Sequence, residues 1–452
     1  MDILRKKIEF ITSDWDRLLL VLLFFALPFE RIPSLNLFGV TWRISVFVGV
    51  AIIIRTLYLL YLKKISFRII TPYKVLALFV LWIFLLIPEA INYKRAIYGV
   101  FFDSYVIALA ISISLIYKKK YLQPILLSLL SGAVFVSIFG IYQYFGDSFG
   151  LPIKYTGLRE AYTGELFGFP RVHAASLEPL YFASYLLLPL TIAGSMVITK
   201  TSLYSFSRKT VLAAFVLYSL LLFLTLSRGG IYGFIATALL MIGIASYKKI
   251  TKVKDIAIFV ASIIVGFVLS FILINYLNHT ALQSFTAKRG AAAYAEQLSK
   301  TTALGSSDDR AVARRRVVDL LKAHKQAAVI GIGPGQYGPY ALNNKPDPAL
   351  GKNGWPIVNN ETLELLLELG VVGLSLVVFY VLIMLFTAIR SLPQKELLVG
   401  ATVLGLIGYL MAEAVQYQSV STLYITHIWA ALGLLMGILL QADSFKKKLK
   451  KS

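Results

Sequence analysis

RKTVLAAFVLYSLLLFLTLSRGGIYGFIATALLMIGIASYKK, residues 208–249, is two apolar runs joined at Ser227-Arg228-Gly229-Gly230 by almost no loop. An apolar run of about 18 residues spans a ~30 Å hydrocarbon core as a helix. Basic pairs close the two far ends, Arg208-Lys209 and Lys248-Lys249. The stretch therefore reads as a transmembrane hairpin, basic at one end and carrying a single arginine at the other.

The same pattern extends in both directions. Apolar runs bounded by charge or turn residues fall at about 15–32, 42–62, 74–90, 97–117, 122–146, 178–198, 210–227, 229–247, 255–276, 362–389, 396–415 and 421–441. The expected fold is all-α: a polytopic membrane protein of about twelve transmembrane helices, with a large, partly helical loop before the tenth span. Composition agrees, at 58% hydrophobic and 15% charged residues with a mean hydropathy of +0.74. A soluble domain carries about 25% charged residues.

Charge sets the orientation. With the N-terminus inside, Lys63-Lys64, Lys118-Lys119-Lys120, Arg208-Lys209, Lys248-Lys249 and Arg390 with Lys395 all fall on the cytoplasmic side, as does the basic tail of 443–452. The net charge of +22 is thus membrane-topological, and nucleic-acid binding is set aside. MDILRKKIEF carries no small-residue cleavage site and reads as no removable signal. Cysteine is absent, which excludes disulfides and thiolate chemistry.

The expected organisation is helices 1–9 over 1–276, an extracytoplasmic loop over 277–361, helices 10–12 over 362–442, and the tail. Two polar stretches lie outside, 147–177 and 277–361. The second contains two helical pieces, AAAYAEQLSK and SSDDRAVARRRVVDLLKAHKQ. Ser and Asp at the start of the latter and cations at its end suit a helix dipole.

Topology gathers candidate residues on that outer side. Arg171, Arg228 and Arg310 are three outward arginines, and a guanidinium grips phosphate oxygens with two donors at once. The plain alternatives are an interface anchor for Arg228 and a solvated helix face for Arg310–Arg316. Glu178 and Glu413 near outer span ends are functional candidates or wet interface groups. His173 is a candidate base. Gly331, Gly333 and Gly335 lack the spacing and the Lys-Ser/Thr of nucleotide loops and read as a turn. Asn359-Asn360 precedes an apolar helix as a cap. The four histidines show no metal-ligand spacing, so no metal site and no cofactor is expected.

At these residues the chain resembles the O-antigen ligase/polymerase family of bacterial polytopic membrane glycosyltransferases. The matching pieces come in order along most of the chain. They are Arg171 before Glu178-Pro179; Ser227-Arg228-Gly229-Gly230; Arg310 opening a loop helix; and Gly331, Gly333, Gly335 with Tyr337. The last, the family's His-Asn-x-x-Leu-x-x-x-x-Glu-x-Gly-x-x-Gly-Leu, appears as Asn359-Asn360 with Leu363, Glu368, Gly370 and Gly373-Leu374. The resemblance implies a bacterial cytoplasmic (inner) membrane, both termini cytoplasmic, and an active face that is periplasmic or extracellular. It also implies a polyprenyl-diphosphate-linked oligosaccharide as donor and a glycan acceptor. Arg171, Arg228 and Arg310 would bind the diphosphate without metal. Asn360, Gly333, Gly335 and Tyr337 would support the acceptor loop.

Asn359 stands where the family has its histidine. An amide takes no proton in the useful range, so Asn359 becomes a hydrogen-bonding orienter and Glu178 or His173 the base, if one is needed. That loss favours a polymerase, joining lipid-linked repeat units, over a ligase using lipid A–core, with a protein hydroxyl as a minor acceptor. A lipid-linked-glycan flippase suits twelve spans too. It would need repeat symmetry and mid-membrane residues, and neither is read here. A receptor or scaffold would leave the arginines without a role.

Overall fold

The computed structural model describes residues 14–30, 34–37, 40–164, 169–204, 207–281, 306–347, 354–392 and 396–442. The N-terminal MDILRKKIEF, the 291–300 piece of the long loop, Lys395 and the basic tail lie outside the described residues.

Each of the twelve apolar runs is a helix. They are α1 Trp15–Ala26, α2 Ile44–Tyr61, α3 Thr71–Leu85, α4 Tyr93–Ile116, α5 Leu122–Ser148, α6 Pro179–Ile198, α7 Arg208–Leu224, α8 Arg228–Tyr247 and α9 Val253–Ala281, then α11 Glu361–Ser391, α12 Leu397–Gln416 and α13 Thr426–Gln441. Between α9 and α11 lies α10, Ser306–Ala323. Among the described residues nine helices are long and apolar enough to cross a membrane. The chain is an all-α polytopic membrane protein. Side chains such as Leu239, Leu382 and Phe386 are exposed on the bundle exterior, as lipid-facing residues should be.

Three details differ from the expected runs. α1 stops at Ala26 rather than 32, because Pro28 has no amide to donate back into the helix. α13 starts at Thr426 rather than 421. The preceding segment is spent on the start of α11, where the Glu361 amide donates to the Tyr417 and Val420 carbonyls, at 2.8 and 2.9 Å. Between α1 and α2 a small antiparallel ribbon forms, Ser34–Leu37 paired with Val40–Arg43 in the register Leu35 opposite Trp42.

The two glycines of Ser227-Arg228-Gly229-Gly230 let α8 pack tightly on its neighbours. A Cβ on Gly229 would fall on the Ser419 hydroxyl, and one on Gly230 would lie 2.9 Å from the Ala183 Cβ. One turn on, a Cβ on Gly233 would lie 2.6 Å from the Ala412 carbonyl oxygen of α12. In a membrane, helix association depends on such close approach, since lipid is as apolar as the side chains. Gly233→Val should therefore pry α8 from α12 and cost about 1–3 kcal/mol, read as a lower midpoint of thermal unfolding in detergent. An unchanged midpoint would show the contact to be loose.

α11 is broken. Gly370 has φ +68° and ψ −178°, outside any helix. The break releases carbonyls that a continuous helix would bond internally, and inside a membrane each must find another donor. The Leu367 and Glu368 carbonyls accept from the amides of Ile332 and Gly333, both at 3.0 Å, and that of Leu369 from Trp82 Nε1 at 2.9 Å. The glycine turn therefore completes the broken helix. Gly331, at φ +90°, abuts the break so closely that a Cβ there would fall on the Glu368 carbonyl oxygen.

Candidate active site at the loop end of the bundle

The loop between α5 and α6 is held down by one buried amide. Gln143 donates Nε2–H to the Ala174 carbonyl (3.2 Å) and accepts the Ala174 amide at Oε1 (2.8 Å). His173 lies fully buried within this loop, and its Nε2 accepts the Arg159 amide at 3.2 Å. As placed, that nitrogen has no lone pair for a substrate proton; the ring fixes the loop.

The fixed loop delivers Arg171 to the α7–α8 turn. Its Nε–H donates to the Thr225 carbonyl (3.2 Å) at the C-terminal end of α7, and its guanidinium lies over the Tyr162 ring at 5.7 Å. A cation at a helix C-terminus is favourable. Two residues past Thr225, the Ser227 hydroxyl accepts the Gly230 amide at 3.4 Å and starts α8, with Arg228 as its first residue. Arg171 and Arg228 thus flank the same turn.

Arg310 arrives on α10. Ala313 and Val317 of that helix pack into a small core with Ile332, Tyr337, Val358 and Leu367. One turn beyond Arg310, Arg314 donates to the Gln418 carbonyl at 3.2 Å. Burial pulls the Arg171 guanidinium down to about 10; the like charges of Arg310 and Arg228 add to this, and Tyr162 and Glu178 oppose it. Burial, then Arg228 and Arg314, pull Arg310 down as well, again opposed by Glu178. Each of the three guanidiniums feels the charge of the other two, and a multivalent oxyanion relieves that repulsion.

Glu178 immediately precedes α6 and lies 3.9 Å from Arg159. It is the carboxylate that opposes the arginines electrostatically. Burial pushes the Tyr162 hydroxyl up to about 12, with Glu178 adding to it, so Tyr162 stays a neutral hydrogen-bonding phenol. Of the residues singled out in the sequence, Arg171, Arg228, Arg310 and Glu178 come together. Tyr162 and Arg159 join them without having been singled out. No motif marks them, and only their place in the polar 147–177 stretch pointed this way.

The others have different placements. Asn360 starts α11 by accepting the Leu363 amide at 3.0 Å, and its Nδ2 donates to the Gln418 carbonyl at 3.2 Å. Asn359 sits at φ +54°, a left-handed conformation that asparagine tolerates better than most residues. Gly333, Gly335 and Tyr337 belong to the turn that completes α11. The amides of Gly335 and Tyr337 grip the two carboxylate oxygens of Glu368, at 2.6 and 2.8 Å. The anion held by this glycine turn is the chain's own side chain. Glu413 is deeper in the bundle, where Ser184 Oγ–H donates to its carboxylate (2.9 Å) and lies 3.1 Å from His427 Nε2.

Residues 213–378 match the family model described as O-antigen ligase. That segment contains Arg228, Arg310, the glycine turn and the break in α11. No curated protein matches the chain.

Proposed function

We infer that this membrane protein, which over residues 213–378 belongs to the O-antigen ligase/polymerase family, transfers a glycan from a polyprenyl-diphosphate donor to a sugar hydroxyl. The reaction takes place at the outer boundary of the bilayer. The supporting observation is that Arg171 is bonded to the α7–α8 turn from which Arg228 starts its helix, while Arg310 feels the charge of both. As the anomeric C–O bond breaks, its electron pair goes to the diphosphate. The three guanidiniums stabilise that developing charge in a partly dehydrated site, where such contacts are strongest. The acceptor oxygen forms the new glycosidic bond and its proton passes to Glu178. Donor binding draws the arginines toward phosphate and so loosens their hold on that carboxylate. Asn359 orients a hydroxyl.

The family acts on lipid-linked oligosaccharide and a glycan acceptor. Of the two acceptor types, asparagine at position 359 favours the polymerase reaction. The test is glycan transfer in proteoliposomes that contain a lipid-diphosphate-linked repeat unit as donor. Extension of the lipid-linked glycan is the expected result. Transfer only to added lipid A–core would make the protein a ligase. Donor crossing the bilayer with no transfer to either acceptor would replace the reading with a flippase.

A further inference from the structure

The Tyr417–Ile425 segment, whose Gln418 carbonyl Arg314 meets, also walls a cavity of about 680 Å³. It opens between the starts of α2, α4, α11 and α13, and Glu361, Ser421 and Thr422 form part of its wall. Such a volume is in the range of small-ligand sites. None of the three arginines lines it.

Its wall combines carboxylates with aromatic faces. Phe102 and Tyr424 stack at 5.5 Å with 29° between their planes, and Trp355 lies under the Arg95 guanidinium at 5.9 Å. Four carboxylates line the cavity, and three are held by backbone amides. Glu368 accepts from Gly335 and Tyr337, Glu364 from Val358 at 3.0 Å, and Glu361 from Thr422. Asp103 is the exception. It is nine-tenths buried on α4, it lines the cavity, and its Oδ1 makes no hydrogen bond. Burying a carboxylate oxygen without a donor is costly. Among the described residues no group of three or more His, Asp or Glu side chains is disposed to hold a metal ion. A hydroxylated ligand fits better. Sugar hydroxyls donate to carboxylates, while the C–H faces of the ring pack on aromatic planes.

We propose that this cavity is the binding site of the acceptor glycan, with Asp103 as the carboxylate that receives its hydroxyl donors and Phe102 with Tyr424 as the stacking wall. The proposal rests on the transferase reading above. It puts the acceptor against the Ser421–Tyr424 stretch of the segment whose Gln418 carbonyl Arg314 meets.

Gly99 provides a clean block. It lines the cavity one helical turn before Asp103, and a Cβ there meets nothing nearer than the Pro334 Cβ at 3.9 Å. Gly99→Phe therefore starts into the cavity with no clash at its Cβ. Two-repeat-unit oligosaccharides, released by mild acid from the lipid-linked glycan of the source cells, serve as the probe. Their binding to the full chain in nanodiscs is measured by equilibrium dialysis. Saturable binding is expected, weakened at least tenfold by Gly99→Phe and by Asp103→Asn, while affinity for a short-chain polyprenyl diphosphate is unchanged. Equal affinity in the Gly99→Phe variant, or no saturable binding by the wild type, overturns the proposal. Oligosaccharide binding of the expected kind in a chain that transfers nothing would instead count against the transferase reading alone.

Discussion

Transfer falls by about 10²–10³ when Arg171, Arg228 or Arg310 is replaced singly by alanine, the loss expected when one donor to a developing oxyanion is removed. The three residues come from a loop, a helix start and a loop helix, yet each feels the charge of another. Pairs of replacements should cost less than the product of the single losses, because groups that act on one leaving group act as a unit. Arg228→Lys should recover only part of the rate, since an ammonium keeps the charge but loses the two-pronged grip. Arg171 also bonds the Thr225 carbonyl, so its variant is compared at equal folded amount. Initial rates in proteoliposomes read all of this. Three single variants with wild-type rates would falsify the diphosphate assignment and leave the arginines as interface anchors.

Gly331→Val and Gly370→Val should each abolish transfer by another route. Either Cβ would fall on a backbone oxygen across the break in α11, that of Glu368 or of Val329. Both glycines also occupy φ values that a β-branched residue avoids, +90° and +68°. If the turn is pushed off, the Leu367 and Glu368 carbonyls lose their donors, at about 1–3 kcal/mol each when left buried. The total approaches or exceeds about 4 kcal/mol, enough to detach the turn and the α10 helix that packs beside it. Limited proteolysis should then cut the 306–347 region while the bundle stays intact. Trp82→Phe is the milder comparison, because it removes one donor, that of Trp82 Nε1 to the Leu369 carbonyl, at about 1–3 kcal/mol. Valine variants as active and protease-resistant as the wild type would mean that the break tolerates a gap.

Much of the fold was written locally. Each apolar run in the sequence is a helix, because burying backbone amides and carbonyls in lipid leaves only self-bonded helices as an option for so apolar a chain. The ends were less legible. α1 ends early at Pro28, and α13 starts late because residues 417–425 bond α11 instead. The sequence marked Gly370 as a glycine of the Glu-x-Gly-x-x-Gly pattern within an apolar run, but not as a break. Its partner donors are the amides of Ile332 and Gly333 and the Trp82 indole, and such a pairing has no local signature.

The site divides in the same way. The sequence by itself determined the helices, the gathering of the polar segments between them, and the arginines that stand in those segments, since hydropathy and charge act residue by residue. It also supplied the glycines, but not their use, which proved to be completing a membrane helix and letting α8 approach α12. Only the tertiary structure decided that Arg171, Arg228 and Arg310 share one space with Glu178. Only it turned His173 inward onto the Arg159 amide, and left Asp103 without a hydrogen bond at Oδ1 among carboxylates that backbone amides satisfy. These are facts about partners far apart in the chain. Whether a charge is paired, buried or open to a ligand depends on what folding brings beside it, and no property of the residue alone records that.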